Sequence, residues 1–190
     1  MSEPTTPPVR PSEARARQRV VELLGWAGRE LGLAPTAARA CTPELVDAAG
    51  RAQAVASLPP AHQELLLRAG GGGPGSALVA IFGTDSVGVD AMIGGLGLAP
   101  MRRTALERAE RSGYELDEFD VVIRVRQGRE VEYVVTGSPD PPVWAFLEGQ
   151  IDPVLRHPSF TEWLEYRVLR AVKRRYPLRT VHFPGPATVR

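Results

Sequence analysis

Residues 119–136 read FDVVIRVRQGREVEYVVT. Apolar and polar side chains alternate on both sides of a Gln-Gly-Arg segment, which is typical of two half-buried strands joined as a hairpin. A three-residue loop at 127–129 places Val125 opposite Val131, whereas a two-residue loop would place Val125 opposite Glu130 and spoil the apolar face. The three-residue loop therefore predicts the pairs Val125–Val131, Ile123–Tyr133 and Val121–Val135 on one face, and Arg126–Glu130 and Arg124–Glu132 on the other.

Two more segments beside the hairpin have the pattern of strands. The run SALVAIF at 76–82 is short and apolar and is followed by Gly83, which predicts a buried strand. The turn sequence Pro-Asp-Pro-Pro at 139–142 precedes a further apolar run. The sequence therefore predicts an antiparallel meander of at least four strands, which include Leu78–Phe82, Phe119–Arg126, Glu130–Thr136 and Val143–Leu147.

Helices are predicted at both ends of the meander. Ser12 suits an N-cap, and apolar residues recur at helical spacing from there to Gly32. Ser159 and Glu162 have the form of a capping box, and the helix that they open should run to about Tyr176. Shorter helices are predicted within 42–56, after Leu58-Pro59-Pro60, and over Thr104–Arg111. A meander flanked by N- and C-terminal helices belongs to the α+β class.

The length of 190 residues and the composition suit one globular domain. Apolar residues make up 43% of the chain and charged residues 24%, which is ordinary for a folded protein. Residues 1–12 are rich in proline and are expected to form a flexible tail. A single domain is predicted over 13–180, with a helical extension before a core at 58–167, and a C-terminal tail is predicted over 181–190.

Charge and hydropathy indicate which binding partners and which cellular compartment are to be expected. The formal net charge of +1 provides no global field that would attract nucleic acid or an anionic membrane. The chain has no run of about 18 apolar residues, and Cys41 is its only cysteine, so neither a membrane span nor an intrachain disulfide is predicted. We expect a cytoplasmic protein. The preference for arginine, with Lys173 the only lysine, points to a GC-rich bacterial source.

The sequence contains no recognisable motif for catalysis, cofactor binding or metal binding. The glycine-rich run at 70–75 lacks the Gly-Lys-Ser/Thr ending of a phosphate-binding loop and follows a predicted helix. His62, His157 and His182 are not paired at helical spacing, and His62 is expected on an exposed, polar helix face. Cys41 has no neighbour in sequence that would lower the pKa of its thiol. We therefore predict no catalytic, cofactor-binding or metal-binding residue.

Carboxylates collect in two segments that are expected to be exposed. One precedes and opens the hairpin, and the other is a glycine-rich stretch after Gly83. An acidic surface of this kind would attract a basic protein partner, although the same residues could serve acid/base chemistry in a cleft or keep a loop solvated. The candidate partner-binding residues are Asp85, Asp90, Glu115, Asp117, Glu118 and Asp120.

The last predicted helix ends in a run of cations, which are Arg167, Arg170, Lys173, Arg174, Arg175 and Arg179. Such a run could contact nucleic-acid phosphates. The helix macrodipole favours cations in a final turn and accounts for much of the run. Nucleic acid is therefore not the expected partner.

Residues 58–72 read LPPAHQELLLRAGGG. A Leu-Pro pair, a short helix with leucines and a glycine-rich turn resemble the signature of the SUKH superfamily, which includes a yeast cell-wall-assembly regulator family and bacterial immunity proteins. The segments Leu78–Phe82, Val143–Leu147 and 159–164 are similar to those that follow the signature in that family. The resemblance covers 58–167. Its motifs are structural, so it carries over no catalytic residue.

The resemblance implies a SUKH-like fold and a binding function. The leading expectation is a bacterial immunity protein that binds and neutralises a cognate toxin, such as a nuclease or a deaminase. The second is a housekeeping interaction or regulatory module without a toxin partner. The third, from another class, is a small hydrolase that uses the acidic cluster at 115–120. The long N-terminal helix, the segment 83–100 and the arginine-rich end depart from the family's pattern.

Overall fold

The computed structural model contains helices and strands in an α+β arrangement. The residues that it describes are 11–33, 40–70, 77–82, 98–117, 120–126, 130–147, 149–150, 152–178 and 180. The described helices are α1 (Pro11–Leu31), α2 (Pro43–Ala52), α3 (Pro60–Ala69), α4 (Ala77–Phe82), α5 (Leu98–Arg111) and α6 (Phe160–Arg175). The strands are β1 (Asp120–Arg126), β2 (Glu130–Val135), β3 (Val143–Leu147) and β4 (Val154–His157).

The four strands form one antiparallel sheet in the order β1-β2-β3-β4. Each strand therefore pairs with its neighbour in sequence, and the prediction of a four-stranded meander flanked by N- and C-terminal helices is confirmed. The helices predicted from Ser12 and from Ser159 are α1 and α6, but α1 begins at Pro11, so Ser12 lies within its first turn and the prediction of an N-cap there is wrong. The Oγ of Ser159 accepts a hydrogen bond from the amide of Glu162 at 3.1 Å, as expected of an N-cap.

The prediction of a strand over Leu78–Phe82 is wrong. This segment belongs to α4, which packs against α1 and α6 and is not part of the sheet. Periodicity does not distinguish a short buried strand from a short buried helix, and here the burial comes from other helices. The sequence pattern also misses β4, because its side chains are mostly exposed and Pro153 and Pro158 flank it.

The hairpin of β1 and β2 has the predicted register at its closed end only. The confirmed pairs are Val125–Val131, Arg126–Glu130 and Arg124–Glu132. A register shift between Val122 and Arg124 has the two-against-one count of a β-bulge and moves the rest of β1 by one residue. The remaining pairs are Val122–Tyr133, Val121–Val134 and Asp120–Val135, in place of the predicted Ile123–Tyr133 and Val121–Val135.

The two faces of the sheet have different coverings. Tyr133 and Phe146 point to one face, where the ring of Tyr114 packs on both. Glu132 points to the other face, which α6 covers with the ring of Trp163. We call these the tyrosine face and the helix face. The α6 helix packs in turn on α1, and α1 packs on α3, so the main core lies between the helix face and these helices.

In the part of the chain that the structure describes, no helix has the length and apolar character that a membrane span requires. Helix α5 begins at Leu98, six residues before the predicted start at Thr104, and contacts β1. It carries Arg102 to the edge of the sheet beside the acidic segment, where the candidate site begins.

Candidate partner-binding site and buried polar network

The acidic segment lies between α5 and β1. Glu115 and Asp117 are exposed there, whereas Asp120 is only 3% exposed. The amide of Asp117 donates a hydrogen bond to Oδ2 of Asp120 at 2.9 Å. The guanidinium of Arg102 donates to the backbone oxygens of Asp117 and Asp120. These bonds fix Asp117 and Asp120 relative to each other and to Arg102. We call the described residues of this segment the acidic turn, with Glu115 and Asp117 as its exposed carboxylates.

Burial changes the ionisation of groups beneath the acidic turn. Loss of solvent raises the pKa of Asp120 to about 6, and the charge of Asp117 acts in the same direction. The hydrogen bond from the Asp117 amide and the charge of Arg102 act against this rise. Nearby, the hydroxyl oxygens of Tyr114 and Tyr133 are 2.6 Å apart, and burial raises the pKa of both phenols. Neither phenol is therefore a base near neutral pH.

Of the six predicted partner-binding residues, the structure describes three, and among these Glu115 and Asp117 are exposed. Asp85, Asp90 and Glu118 lie outside the described residues. The expectation that Asp120 emerges on the polar side of β1 is wrong, and the bulge is the reason. Because the bulge reverses the alternation, Asp120 shares the tyrosine face with Tyr133, while Arg124 stays on the helix face.

A second polar cluster lies on the helix face, beneath α6. Glu132 is 4% exposed and accepts hydrogen bonds from Arg124 at 3.4 Å, from Arg167, and from Nε1 of Trp163 at 3.0 Å. One carboxylate thus joins β1, β2 and α6. The sequence predicts the pairing of Arg124 with Glu132, but it contains no signal that α6 would bury this pair.

The expectation that His62 is exposed is wrong. Its side chain is fully buried, and its ring packs on Phe160 of α6 with a centroid distance of 5.2 Å. Within the described part of the chain, neither ring nitrogen has a hydrogen-bond partner. Burial lowers the pKa of His62 to about 4, so the ring is neutral at pH 7 and serves as a core side chain between α3 and α6.

The Leu-Pro segment lines an open groove with a volume of about 530 Å³. Its other walls are Glu13 of α1, the loop that follows α2, and the turn at 136–139. The amide of Ala61 donates to the backbone oxygen of Pro139 at 3.0 Å, which ties the start of α3 to this turn. Glu13 is the only ionisable residue among the described lining residues, so the groove suits contact with a partner better than it suits proton transfer.

The structure brings no metal ligands or activated thiol together among the residues that it describes. No group of three or more histidine, cysteine, aspartate or glutamate side chains in that part could hold a metal ion. Cys41 is half-buried, and burial raises the pKa of its thiol. A raised pKa makes the thiol a poorer nucleophile at neutral pH.

Some of the cations at the end of α6 make structural contacts. Arg167 binds Glu132, and Arg174 donates to the backbone oxygen of Ile81 in α4 at 3.0 Å. The exposed cations are Arg170, Lys173, Arg174 and Arg175, and Arg179 lies outside the described residues. Two of the cations that suggested a phosphate contact therefore hold α6 against the rest of the fold.

Similarity to known proteins adds no residue to these sites. No protein-family model matches this chain, and no curated protein or solved structure is detectably similar to it. The features of the molecule that bear on its function are the acidic turn, the groove beside the Leu-Pro segment and the buried carboxylates.

Proposed function

We propose that this protein is a non-enzymatic binding protein, and specifically a bacterial immunity protein of the SUKH kind that neutralises a cognate toxin. The buried carboxylates support a binding role. Glu64, Asp120 and Glu132 are the buried acidic residues of the described chain. Each accepts hydrogen bonds from its own chain. Their negative charge is used to connect helices and strands, not to face a reacting group.

The resemblance at 58–72 supports the immunity assignment. The Leu-Pro pair opens α3 and borders the groove, and the meander and the capped α6 follow in the order that the resemblance implies. The helical conformation of Leu78–Phe82 departs from that order. The assignment therefore rests on the signature segment together with β3 and α6.

The acidic turn is the described surface that best complements a toxin acting on nucleic acid. Such a toxin binds a polyanion and needs a basic cleft, and complementary charge speeds encounter and fixes orientation. With a net charge of +1, attraction must come from a local feature. Glu115 and Asp117 provide it, because both are exposed on a turn whose backbone Arg102 holds in place.

The test is co-expression with a toxin encoded beside the gene of this protein. We expect restored growth, a stoichiometric complex, and association that slows in the double variant Glu115→Lys with Asp117→Lys. The loss should be at least about tenfold at low salt and should shrink as salt is added. The control is Glu44→Lys with Asp47→Lys on α2, which makes the same charge change at two exposed positions.

The outcomes separate the competing functions. Unchanged association in the acidic-turn variant would place the toxin surface elsewhere. The absence of a neighbouring toxin, with no protection in co-expression, would favour a housekeeping interaction module. A hydrolase using the acidic cluster would require catalysis that is lost in Asp117→Asn or Asp120→Asn. Asp120 is buried and accepts a hydrogen bond from the Asp117 amide, so its carboxylate does not face a substrate as the hydrolase hypothesis requires.

A further inference from the structure

Helix α6 has an outer face that is only partly covered by the rest of the fold, with Leu169 half-buried against the core and Glu162, Tyr166, Arg170 and Lys173 exposed. Its Tyr166 is 42% exposed, which is high for a large aromatic side chain. At 3.6 residues per turn, this face lies opposite the buried Leu164, Val168 and Ala171. We call the face the outer stripe, and its residues are Glu162, Glu165, Tyr166, Leu169, Arg170 and Lys173.

The residues of the outer stripe are ordered by chemistry along the helix. The stripe begins with two carboxylates, continues through Tyr166 and Leu169, and ends with two cations. The helix macrodipole favours acidic residues at the start and basic residues at the end. It does not explain why Tyr166, which packs on His157 with a centroid distance of 5.1 Å, keeps a large exposed surface between them.

An antiparallel second copy of α6 complements this order at every position. A two-fold axis that passes midway between residues 167 and 168 sets each carboxylate opposite a cation, and each pair occurs twice. The pairs with the second copy are Glu162 with Lys173, Glu165 with Arg170, and Tyr166 with Leu169. A parallel arrangement would instead place like charges opposite each other. We infer that the protein forms a symmetric homodimer through the outer stripe of α6.

The surroundings of the stripe agree with this arrangement. Arg19 of α1 binds Glu165 at 2.8 Å and so holds that carboxylate in a defined position. The guanidinium of Arg170 lies 5.8 Å from the ring centroid of Tyr166. A depression of about 620 Å³ runs along the acidic half of the stripe and can receive side chains of the second copy.

The expected dimer is weak and sensitive to salt. A single helix pair buries less than the roughly 800 Å² per partner of a standard interface, so we expect a Kd on the order of tens of micromolar. Partly exposed ion pairs are screened as ionic strength rises. The interface lies above the helix face of the sheet, opposite the acidic turn, and does not depend on the proposed toxin partner.

Sedimentation equilibrium of the whole chain, between about 1 and 500 μM at low salt, tests the inference. We expect a monomer–dimer equilibrium for the native chain. An all-positive variant, Glu162→Lys with Glu165→Lys, and an all-negative variant, Arg170→Glu with Lys173→Glu, should each be monomeric. An equimolar mixture of the two should form a heterodimer, because all four ion pairs are then restored. The control is Arg175→Glu, an exposed change outside the stripe that should leave dimerisation unchanged.

A second comparison keeps the test independent of Arg19. Glu162→Lys and Lys173→Glu change exposed residues only, and each alone should weaken dimerisation at least about tenfold, while their combination in one chain should restore it. Circular dichroism and thermal melting verify that every variant folds. A native chain that stays monomeric throughout the range would overturn the inference. So would a dimer that neither charge change affects.

Discussion

Nε1 of Trp163 donates a hydrogen bond to Oε2 of Glu132 at 3.0 Å, across the contact between α6 and β2. The other carboxylate oxygen accepts from Arg124 and Arg167. Glu132 therefore anchors the C-terminal helix to the sheet. Its negative charge also offsets the positive charges of the Arg124 and Arg167 guanidinium groups. Its removal would leave both guanidinium groups in a nearly dry contact without this counter-charge.

Replacement of Glu132 by alanine should destabilise the fold strongly. Breaking a buried ion pair by removing one partner costs about 3–5 kcal/mol in the free energy of unfolding, because the remaining charge is poorly solvated. Urea denaturation of Glu132→Ala measures this loss. The control is Glu130→Ala on the same strand, whose bond to the partly exposed Arg156 should contribute less than about 1 kcal/mol. Equal losses in the two variants would contradict the role given to Glu132.

His62 should make the fold less stable in acid. Its pKa is about 4 in the folded protein and 6.5 ordinarily, so the unfolded chain binds the proton first as the pH falls. Its contribution to stability is complete above about pH 6.5 and should decline by about 3 kcal/mol as the pH falls through 4. His62→Leu cannot take up a proton, so its free energy of unfolding relative to the native chain, measured by urea denaturation, should rise by about 3 kcal/mol as the pH falls from 7 to 4. A difference that stays constant over this range would assign the titration to another group.

Asp120 should make the fold less stable as the pH rises, over nearly the same pH range in which His62 has the opposite effect. Its pKa is about 6 in the folded protein and 3.8 ordinarily, so the folded chain retains the proton longer as the pH rises. The stabilisation is complete below about pH 3.8 and should be lost, by about 3 kcal/mol, as the pH rises through 6. Between pH 4 and 6 the effects of His62 and Asp120 should nearly cancel in the native chain.

The variants of these two residues should separate their effects. Asp120→Asn should lose stability as the pH falls from 6.5 to 4, whereas His62→Leu should lose stability as the pH rises from 4 to 6. Both slopes come from the same urea titrations. Parallel profiles for the two variants would show that these groups are not the ones that titrate in this range.

Gly70 should not tolerate a side chain, although it follows α3 with ordinary helical angles. A Cβ atom there would lie 2.6 Å from the backbone oxygen of Leu66 and 2.7 Å from Sγ of Cys41. Gly70→Ala should therefore cost about 1–3 kcal/mol by thermal or urea denaturation. The matched control is Gly28→Ala in α1, where a Cβ meets nothing within 4 Å and should stabilise the helix by up to about 1 kcal/mol. A neutral Gly70→Ala would show that α3 can shift away from Cys41.

The hairpin shows how far a sequence pattern carries toward the site. Alternation predicts β1, β2 and the pairs next to their loop, because those pairs depend only on nearest neighbours along the two strands. The bulge at Ile123 has no comparable signal, since Val121, Val122 and Ile123 form an apolar run that suits either face of a sheet. One inserted residue moved Asp120 from an expected exposed position to the buried tyrosine face, and so removed one of the three described carboxylates from the predicted acidic surface.

The sequence by itself determined the α+β class, the helices at both ends, the Ser159 cap of α6 and the central hairpin of this protein. These features follow from periodicity, caps and turns, which act over a few residues. Only the tertiary structure decided that Leu78–Phe82 is a helix, that His62 is buried and that Glu132 lies beneath α6. The physical reason is that burial depends on which distant element packs against a face, and no local pattern encodes that choice.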